Sequence, residues 1–322
     1  MRNIIDGIHH VTAIAGDPQS NLDFYTSVLG LRLVKRTVNF DDPYTYHFYF
    51  GDENGTPGSI MTFFPWGAGG HRGSRGTGQI TAFALSIPHG ATAFWTDRFE
   101  KLGVPYQKPA QRFDGEVIVI EDPDGFVVEL VASSSETRPA AGNGAASSKA
   151  AVRGIHSVTI SQQKIEPTSE FMKSALGMHG ASSHGNRHRF VFGDGEPGKI
   201  VDLLEEPGIP SGRMGPGVIH HLAFRTPDDS TQAAVQADLV RAGYPVSDVK
   251  DRQYFHSIYF NEPGRVLFEV ATDPPGFLID EKREALGSGV KLPLWLEPHR
   301  KAIEHELPVI VVRRAETEEV IP

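Results

Sequence analysis

The chain has 322 residues, 39% of them hydrophobic and 22% charged, with a formal net charge of −9. No dense Lys/Arg cluster interrupts that balance, so nucleic acid and other polyanions are not expected as partners. There is no cysteine, which removes disulfides, zinc–thiolate sites, iron–sulfur clusters and cysteine nucleophiles together and leaves His, Asp, Glu and Tyr as metal ligands. The first 30 residues carry Asp6 and Asp17 between short apolar runs, and no run of about 18 apolar residues follows. Neither a signal peptide nor a membrane span is expected, which predicts a cytoplasmic protein; a homo-oligomer is compatible with the sequence.

In chain order, "GIHHVT" (7–12) reads as a strand holding a histidine pair, His9 and His10. Histidine inside an apolar strand needs partners for its ring nitrogens, so the pair asks for a chemical reason. Asp17 and Pro18 predict the N-cap and first residue of a helix that runs into "FYTSVLGL" (24–31) and is closed by Gly30. "GDENGTPG" (51–58) lacks the spacing of a calcium loop and reads as a hairpin turn. A second helix ends at "FEKLGVPY" (99–106), followed by the strand in "DPDGFVVEL" (122–130).

The small, polar stretch 136–152 reads as a linker between segments 1–135 and 153–275. The pattern then repeats: "GIHSVT" (154–159) matches the opening strand, and "FMKSALGM" (171–178), closed by Gly177, matches the first helix end. "GVIHHLA" (217–223) carries a second pair, His220 and His221, and is followed by "LVRAGYPV" (239–246) and "NEPGRVLFEV" (261–270). Residues 276–322 differ in composition and suggest a strap with a short helix.

Four β-α-β-β-β units therefore make up residues 7–275, an α+β fold. One curved sheet of this kind leaves its concave face exposed, so the units are expected to pair into two cup-shaped sheets. The repeat resembles the vicinal oxygen chelate superfamily, which includes glyoxalase I and extradiol ring-cleaving dioxygenases. The resemblance implies metal ligands on the first strand and near the end of the last strand of each unit. Counting six residues from the proline before each last strand gives Phe63, Glu129, Leu203 and Glu269; the first-strand positions are His10, Ala82, Ser157 and His221. Pairing neighbouring units puts one His and one Glu in each cup. Pairing the first with the fourth collects His10, His221 and Glu269, the facial set of non-haem Fe(II) oxygenases; pairing the second with the fourth would collect His221, Glu269 and Glu129 but discard His10 and give a harder, oxygen-richer site. With the first and fourth paired, Glu129 is alone in the other cup and reads as structural.

"HHVTAIAGDPQSNLDFYTSVLGLRLVKRTVNFDDPYTYHFYFGD", "SIMTFFPW", "DRQYFHSIYFNEPGRVLFEVATDPPGF" and "LGSGVKLP" are similar to the hydroquinone-type ring-cleaving dioxygenases, the group containing dichlorohydroquinone 1,2-dioxygenase. That resemblance implies Fe(II), with Mn(II) as a substitute, held by His10, His221 and Glu269, and a small aromatic diol and O2 as substrates. It implies roles around the metal for His9, Thr12, His220, Arg252 and Tyr259: Tyr259 or His220 as proton donor, Arg252 as a stabiliser of negative charge. Strand alternation points His9 and His220 away from the ligands and makes them braces of the cup, unless a bulge intervenes. His256 is expected near the cup entrance, and Phe63 on the substrate wall with the other aromatics of "YTYHFYF" (44–50) and "FFPW" (63–66). Other readings of the same fold are an extradiol catechol dioxygenase, a glyoxalase-like metal isomerase that Phe63 disfavours by replacing a second glutamate, and a non-catalytic ligand-binding protein.

Overall fold

The computed structural model describes residues 5–67, 71–113, 115–141, 146, 148–314 and 317–321; positions 142–145 and 147 of the expected linker lie outside them. The first module is β1 (Ile8–Ala15), α1 (Pro18–Asp23), β2 (Arg32–Asn39), β3 (Asp42–Gly51) and β4 (Ile60–Pro65). The second is β5 (Gln79–Pro88), α2 (Thr92–Leu102), β6 (Tyr106–Arg112), β7 (Gly115–Glu121) and β8 (Val127–Ser133). The third is β9 (Gly154–Gln162), α3 (Glu166–Ser174), β10 (His179–His184), β11 (Arg187–Val191) and β12 (Ile200–Glu205). The fourth is β13 (Val218–Thr226), α4 (Asp229–Arg241), β14 (Lys250–Asp251), β15 (Phe255–Asn261) and β16 (Leu267–Pro275). Among the described residues no helix is long and apolar enough to cross a membrane.

Local chemistry starts these elements as the sequence implies. The Asp17 carboxylate accepts from the Ser20 N–H at 2.7 Å with Pro18 in the first turn, capping α1. This helix then widens into a π-helical turn over Phe24–Val28, from which Tyr25 donates to Asp122 of the second module at 3.2 Å. Gly30 and Gly177 close the helical segments at φ 71 and 76, a conformation that costs a residue with a Cβ.

Two eight-stranded sheets result, ordered β14-β15-β16-β13-β1-β4-β3-β2 and β10-β11-β12-β9-β5-β8-β7-β6. The first joins modules one and four, the second modules two and three. Their seams are the antiparallel pairs β1·β13 and β5·β9, while each module's first strand runs parallel to its last.

Each strand divides its side chains between a helix-covered face and the inside of a cup. On β16, Phe268 and Val270 enter the helix-side core, where Phe268 meets Phe224 with ring centres 5.1 Å apart, and Glu269 turns into the first cup. The segment after β16 closes the floor of that cup: Phe277 lies 5.0 Å from the Tyr49 ring and 4.8 Å from the Tyr254 ring. It is anchored by the fully buried Lys35, whose ammonium contacts Asp280 and Glu281. Removing one partner from such a buried pair strands the other charge, so the anchor fixes the path of the segment.

Candidate metal centre

His10 on β1, His221 on β13 and Glu269 on β16 meet in the first cup, all buried, with one ligand atom from each lying within 4.8 Å of the others. Glu269 Oε2 is 2.8 Å from His221 Nε2 and 3.4 Å from His10 Nε2, yet it has no partner in hydrogen-bonding geometry. The three atoms converge within one small volume, which is how a donor set for a divalent metal is built. Ser257 donates to the other carboxylate oxygen and fixes its plane. Burial alone would raise the Glu269 pKa, but the two imidazoles hold it well below the usual carboxylate range; burial also lowers that of His221. An ionised carboxylate beside a neutral ring is the state a metal requires.

His9 and His220 are not where alternation puts them. On β1 the pairing steps from Ile8↔Phe224 to His10↔Ala223, and on β13 from Thr12↔His221 to Ala13↔Ile219. His9 and His220 are therefore the extra residues of two bulges, related by the pseudo-twofold of the seam. Each turns back to its neighbour: Nδ1 of His9 is 2.8 Å from Nδ1 of His10, and Nδ1 of His220 is 2.7 Å from Nδ1 of His221. A ligand ring that offers Nε2 to a metal carries its proton on Nδ1, and the bulged histidine accepts it. Burial, then the neighbouring ligand histidine, lowers the pKa of His9 and brings His220 down to about 3, so both are neutral acceptors.

The ligand group sits in the wall of a cavity of about 340 Å³, lined also by Thr12, His47, Tyr49, Phe64, His220, Phe255 and Tyr259, with Asn39, Phe40, Asp41, Trp66 and Arg252 among the remainder. Arg252 Nε donates to the Tyr259 hydroxyl at 3.1 Å, and its Nη1 to the exposed Asp41 at 3.0 Å, joining the β2–β3 and β14–β15 hairpins across the cup. Burial and the Glu269 charge raise the Tyr259 pKa far enough that the phenol keeps its proton, despite Arg252.

Two expected positions are elsewhere. Phe63 is fully buried on the helix side of β4, 4.4 Å from the Tyr25 ring and 5.8 Å from the Phe50 ring, so Phe64 lines the cavity instead. The six-residue count fails because the first and third modules have one residue fewer between proline and strand: Ile60 pairs with His10 and Ile200 with Ser157, whereas Leu267 and Val127 begin β16 and β8. The counterparts of Glu269 are thus Thr62 and Asp202, not Phe63 and Leu203. His256 also faces outward on β15, binding Asp229 of α4 through Nδ1 at 2.6 Å, because alternation gives the cup to Phe255, Ser257 and Tyr259.

In the second cup Glu129 is accordingly not the sole carboxylate. Arg112, the hairpin counterpart of Arg252, makes a double contact with Glu129, and Arg189 binds Asp202 at 2.8 and 3.0 Å. Ala82 and Ser157 stand where the first cup has its ligand histidines. Guanidinium groups thus occupy the carboxylates that a metal would need. Tyr49 lines the cavity as expected of the aromatics of 44–50, but His47, Thr62 and Ser257 escaped the sequence reading, since only the register of β3 on β4 and the side-chain faces place them; the shared spacing of β4 and β12 was the available signal.

Paired β-α-β-β-β modules around a buried His–His–Glu group define a vicinal oxygen chelate protein. The sequence matches the Glyoxalase/Bleomycin resistance protein/Dioxygenase superfamily over residues 7–130 and 154–280, and the chain belongs to that superfamily. It is 44% identical over 307 residues to MhqO of Bacillus subtilis (strain 168), provisionally named a ring-cleaving dioxygenase, covering 95% of this chain and 97% of MhqO. It is 36% identical over 301 residues to the chlorohydroquinone/hydroquinone 1,2-dioxygenase of Sphingobium indicum, covering 91% of this chain and 93% of that protein. A crystal structure provisionally described as a dioxygenase from Bacillus subtilis superposes with a TM-score of 0.90 at 43% identity, over 96% of this chain and 99% of the other. The relatives' names support a dioxygenase of this superfamily.

Proposed function

We propose that the chain is a non-haem Fe(II) dioxygenase that opens a hydroquinone ring beside one hydroxyl. The C–C bond between the hydroxyl-bearing carbon and its neighbour breaks, the first carbon becoming a carboxylic acid and the second an aldehyde, with both atoms of O2 retained in the product. The observation that carries this reading is the His10, His221 and Glu269 group set in a cavity of about 340 Å³ with aromatic walls. A cavity of this size suits one substituted ring. Two imidazoles and a carboxylate also leave positions for a substrate oxygen and O2. Bound Fe(II) would supply the path for electron density from ring to O2; Mn(II) fits the same donors. The hydroquinone dioxygenase relative supports the choice of diol.

The chain's own groups then have distinct tasks. Phe64 and Phe255 hold a flat apolar ring. A para-diol can bring only one oxygen to the ligand group, so its remote hydroxyl needs a separate polar contact, which Asn39 and Asp41 at the mouth supply. Tyr259, accepting from Arg252, gives its hydroxyl proton to oxygen as the ring opens, and Arg252 offsets negative charge there. His220, with Nδ1 committed to His221, orients that ligand and has Nε2 left for a proton. A glyoxalase-type isomerase is less well served, because Thr62 stands where a second glutamate would.

An oxygen-electrode assay of the Fe(II)-loaded protein tests this. Substituted hydroquinones should consume one O2 per ring, catechols should be poorer, and the methylglyoxal–glutathione adduct should be unchanged. Catechol cleavage without hydroquinone turnover would overturn the choice of diol, and no uptake with any dihydroxybenzene would overturn the dioxygenase itself.

A further inference from the structure

The wall of the cup opposite Tyr259 and Arg252 carries a line of hydrogen-bonding groups with no place in the roles above. The Tyr49 hydroxyl lies 2.9 Å from His47 Nδ1, His47 Nε2 lies 2.7 Å from Thr62 Oγ1, and Thr62 Oγ1 donates to Thr12 Oγ1 at 3.1 Å. Tyr49, Thr62 and Thr12 are each at most 1% exposed. The His47 ring also packs on Phe64, with centres 4.2 Å apart.

A hydroxyl has one proton to donate, and that fixes the direction of the line. Thr62 spends its proton on Thr12, so it accepts from Nε2–H of His47. Burial keeps His47 neutral, and a neutral imidazole has one N–H, so Nδ1 is an acceptor and Tyr49 donates to it. Thr12 stands at the end: it accepts from Thr62, cannot return a proton to it, and lines the cavity two residues after His10 on β1.

The geometry points to Tyr49, His47 and Thr62 as a chain of positioning residues that turns the Thr12 hydroxyl proton into the cavity, toward the substrate oxygen bound beside His10. This inference rests on the diol reading and extends it. Linked hydrogen bonds polarise one another, so Thr12 is a better donor at the end of the chain than alone. The donor is aimed before substrate arrives, and no reorientation is needed as negative charge builds on that oxygen. His47, with both nitrogens engaged, acts through Thr62 and presents only its ring to the substrate.

Four variants of the Fe(II)-loaded full chain and one spectroscopic readout test the chain. His47→Phe keeps the packing on Phe64 but frees Thr62 to accept from Thr12, and Thr62→Val removes one hydroxyl at nearly constant volume. Each should lower kcat on hydroquinone roughly five- to tenfold, the worth of about one hydrogen bond, with KM within about twofold and iron content unchanged. Tyr49→Phe should lower kcat less. His47→Gln should recover most of the loss, because its amide can accept from Tyr49 and donate to Thr62, which no merely space-filling role of His47 would allow. In the metal-free full chain, 15N shifts of the His47 ring should show the proton on Nε2. Wild-type kcat in Thr62→Val, or a proton on Nδ1, overturns the chain. Absence of oxygen uptake by the wild type overturns the diol reading instead, and the ring shifts still judge the hydrogen bonds.

Discussion

Nδ1 of His220 lies 2.7 Å from Nδ1 of His221, and the pseudo-twofold repeats the contact at 2.8 Å between His9 and His10. Each ligand histidine is thus oriented by the residue immediately before it, through a bulge rather than through a distant carboxylate. Partners of this kind are typically worth 10–100-fold in metal affinity. His9→Phe and His220→Phe should each weaken metal retention by about that factor with circular dichroism unchanged, as read by competition with a chelator. Undiminished retention in both would remove the bulged histidines from the site.

Phe63 and Phe64 are neighbours with opposite duties. Phe63→Ala opens a void among Tyr25, Phe50 and Phe126 and should cost about 3–5 kcal/mol in urea unfolding, with KM for the aromatic substrate unchanged. Phe64→Ala should do the reverse, raising KM with a smaller stability loss. An exchange of these two outcomes would place Phe63 on the substrate wall after all.

Asp122 ties α1 to the second module by accepting from Tyr25 and from the Phe126 and Asp124 N–H groups. Burial nevertheless pushes its pKa up to about 7. In the unfolded chain an aspartate titrates near about 4. Between these values the folded state holds a proton that the unfolded state lacks, so this group's contribution to stability falls as pH rises from about 4 to about 7 and is level above. Asp122→Asn should flatten that part of the profile. Urea denaturation at pH 5 and pH 8 checks it, and parallel profiles for the two proteins would refute the assignment.

The second cup should take no metal, because its carboxylates are held by arginines. Metal analysis should give one ion per chain, and His10→Ala should lose it. Arg112→Met should cost about 2–4 kcal/mol by leaving Glu129 without its cation, and Glu129→Leu in that background should recover most of the loss. A second equivalent of tightly bound metal in the wild type would show that the ion pairs yield.

The sequence by itself determined the four-module repeat, the pairing of the first module with the fourth, and the convergence of His10, His221 and Glu269. It could do so because helix caps and strand periodicity are local, and because a repeated fold puts equivalent positions at equivalent depth: at the ligand positions that the superfamily resemblance implies, pairing the first unit with the fourth gives two imidazoles and a carboxylate, whereas pairing the second with the fourth would discard His10 for an oxygen-richer set. Tertiary structure alone decided the rest. One residue fewer after Pro57 shifts the phase of β4, and in a period-two strand that exchanges Phe63 for Thr62 and Phe64 on the cup face. The bulges at His9 and His220 leave no mark in residue type, since they arise from the register of β1 against β13, more than 200 residues away. His47 likewise gains its neighbours only when β3 pairs with β4 and the fourth module closes the cup around it. Local preference chooses the elements, but register and closure choose which side chains share a volume.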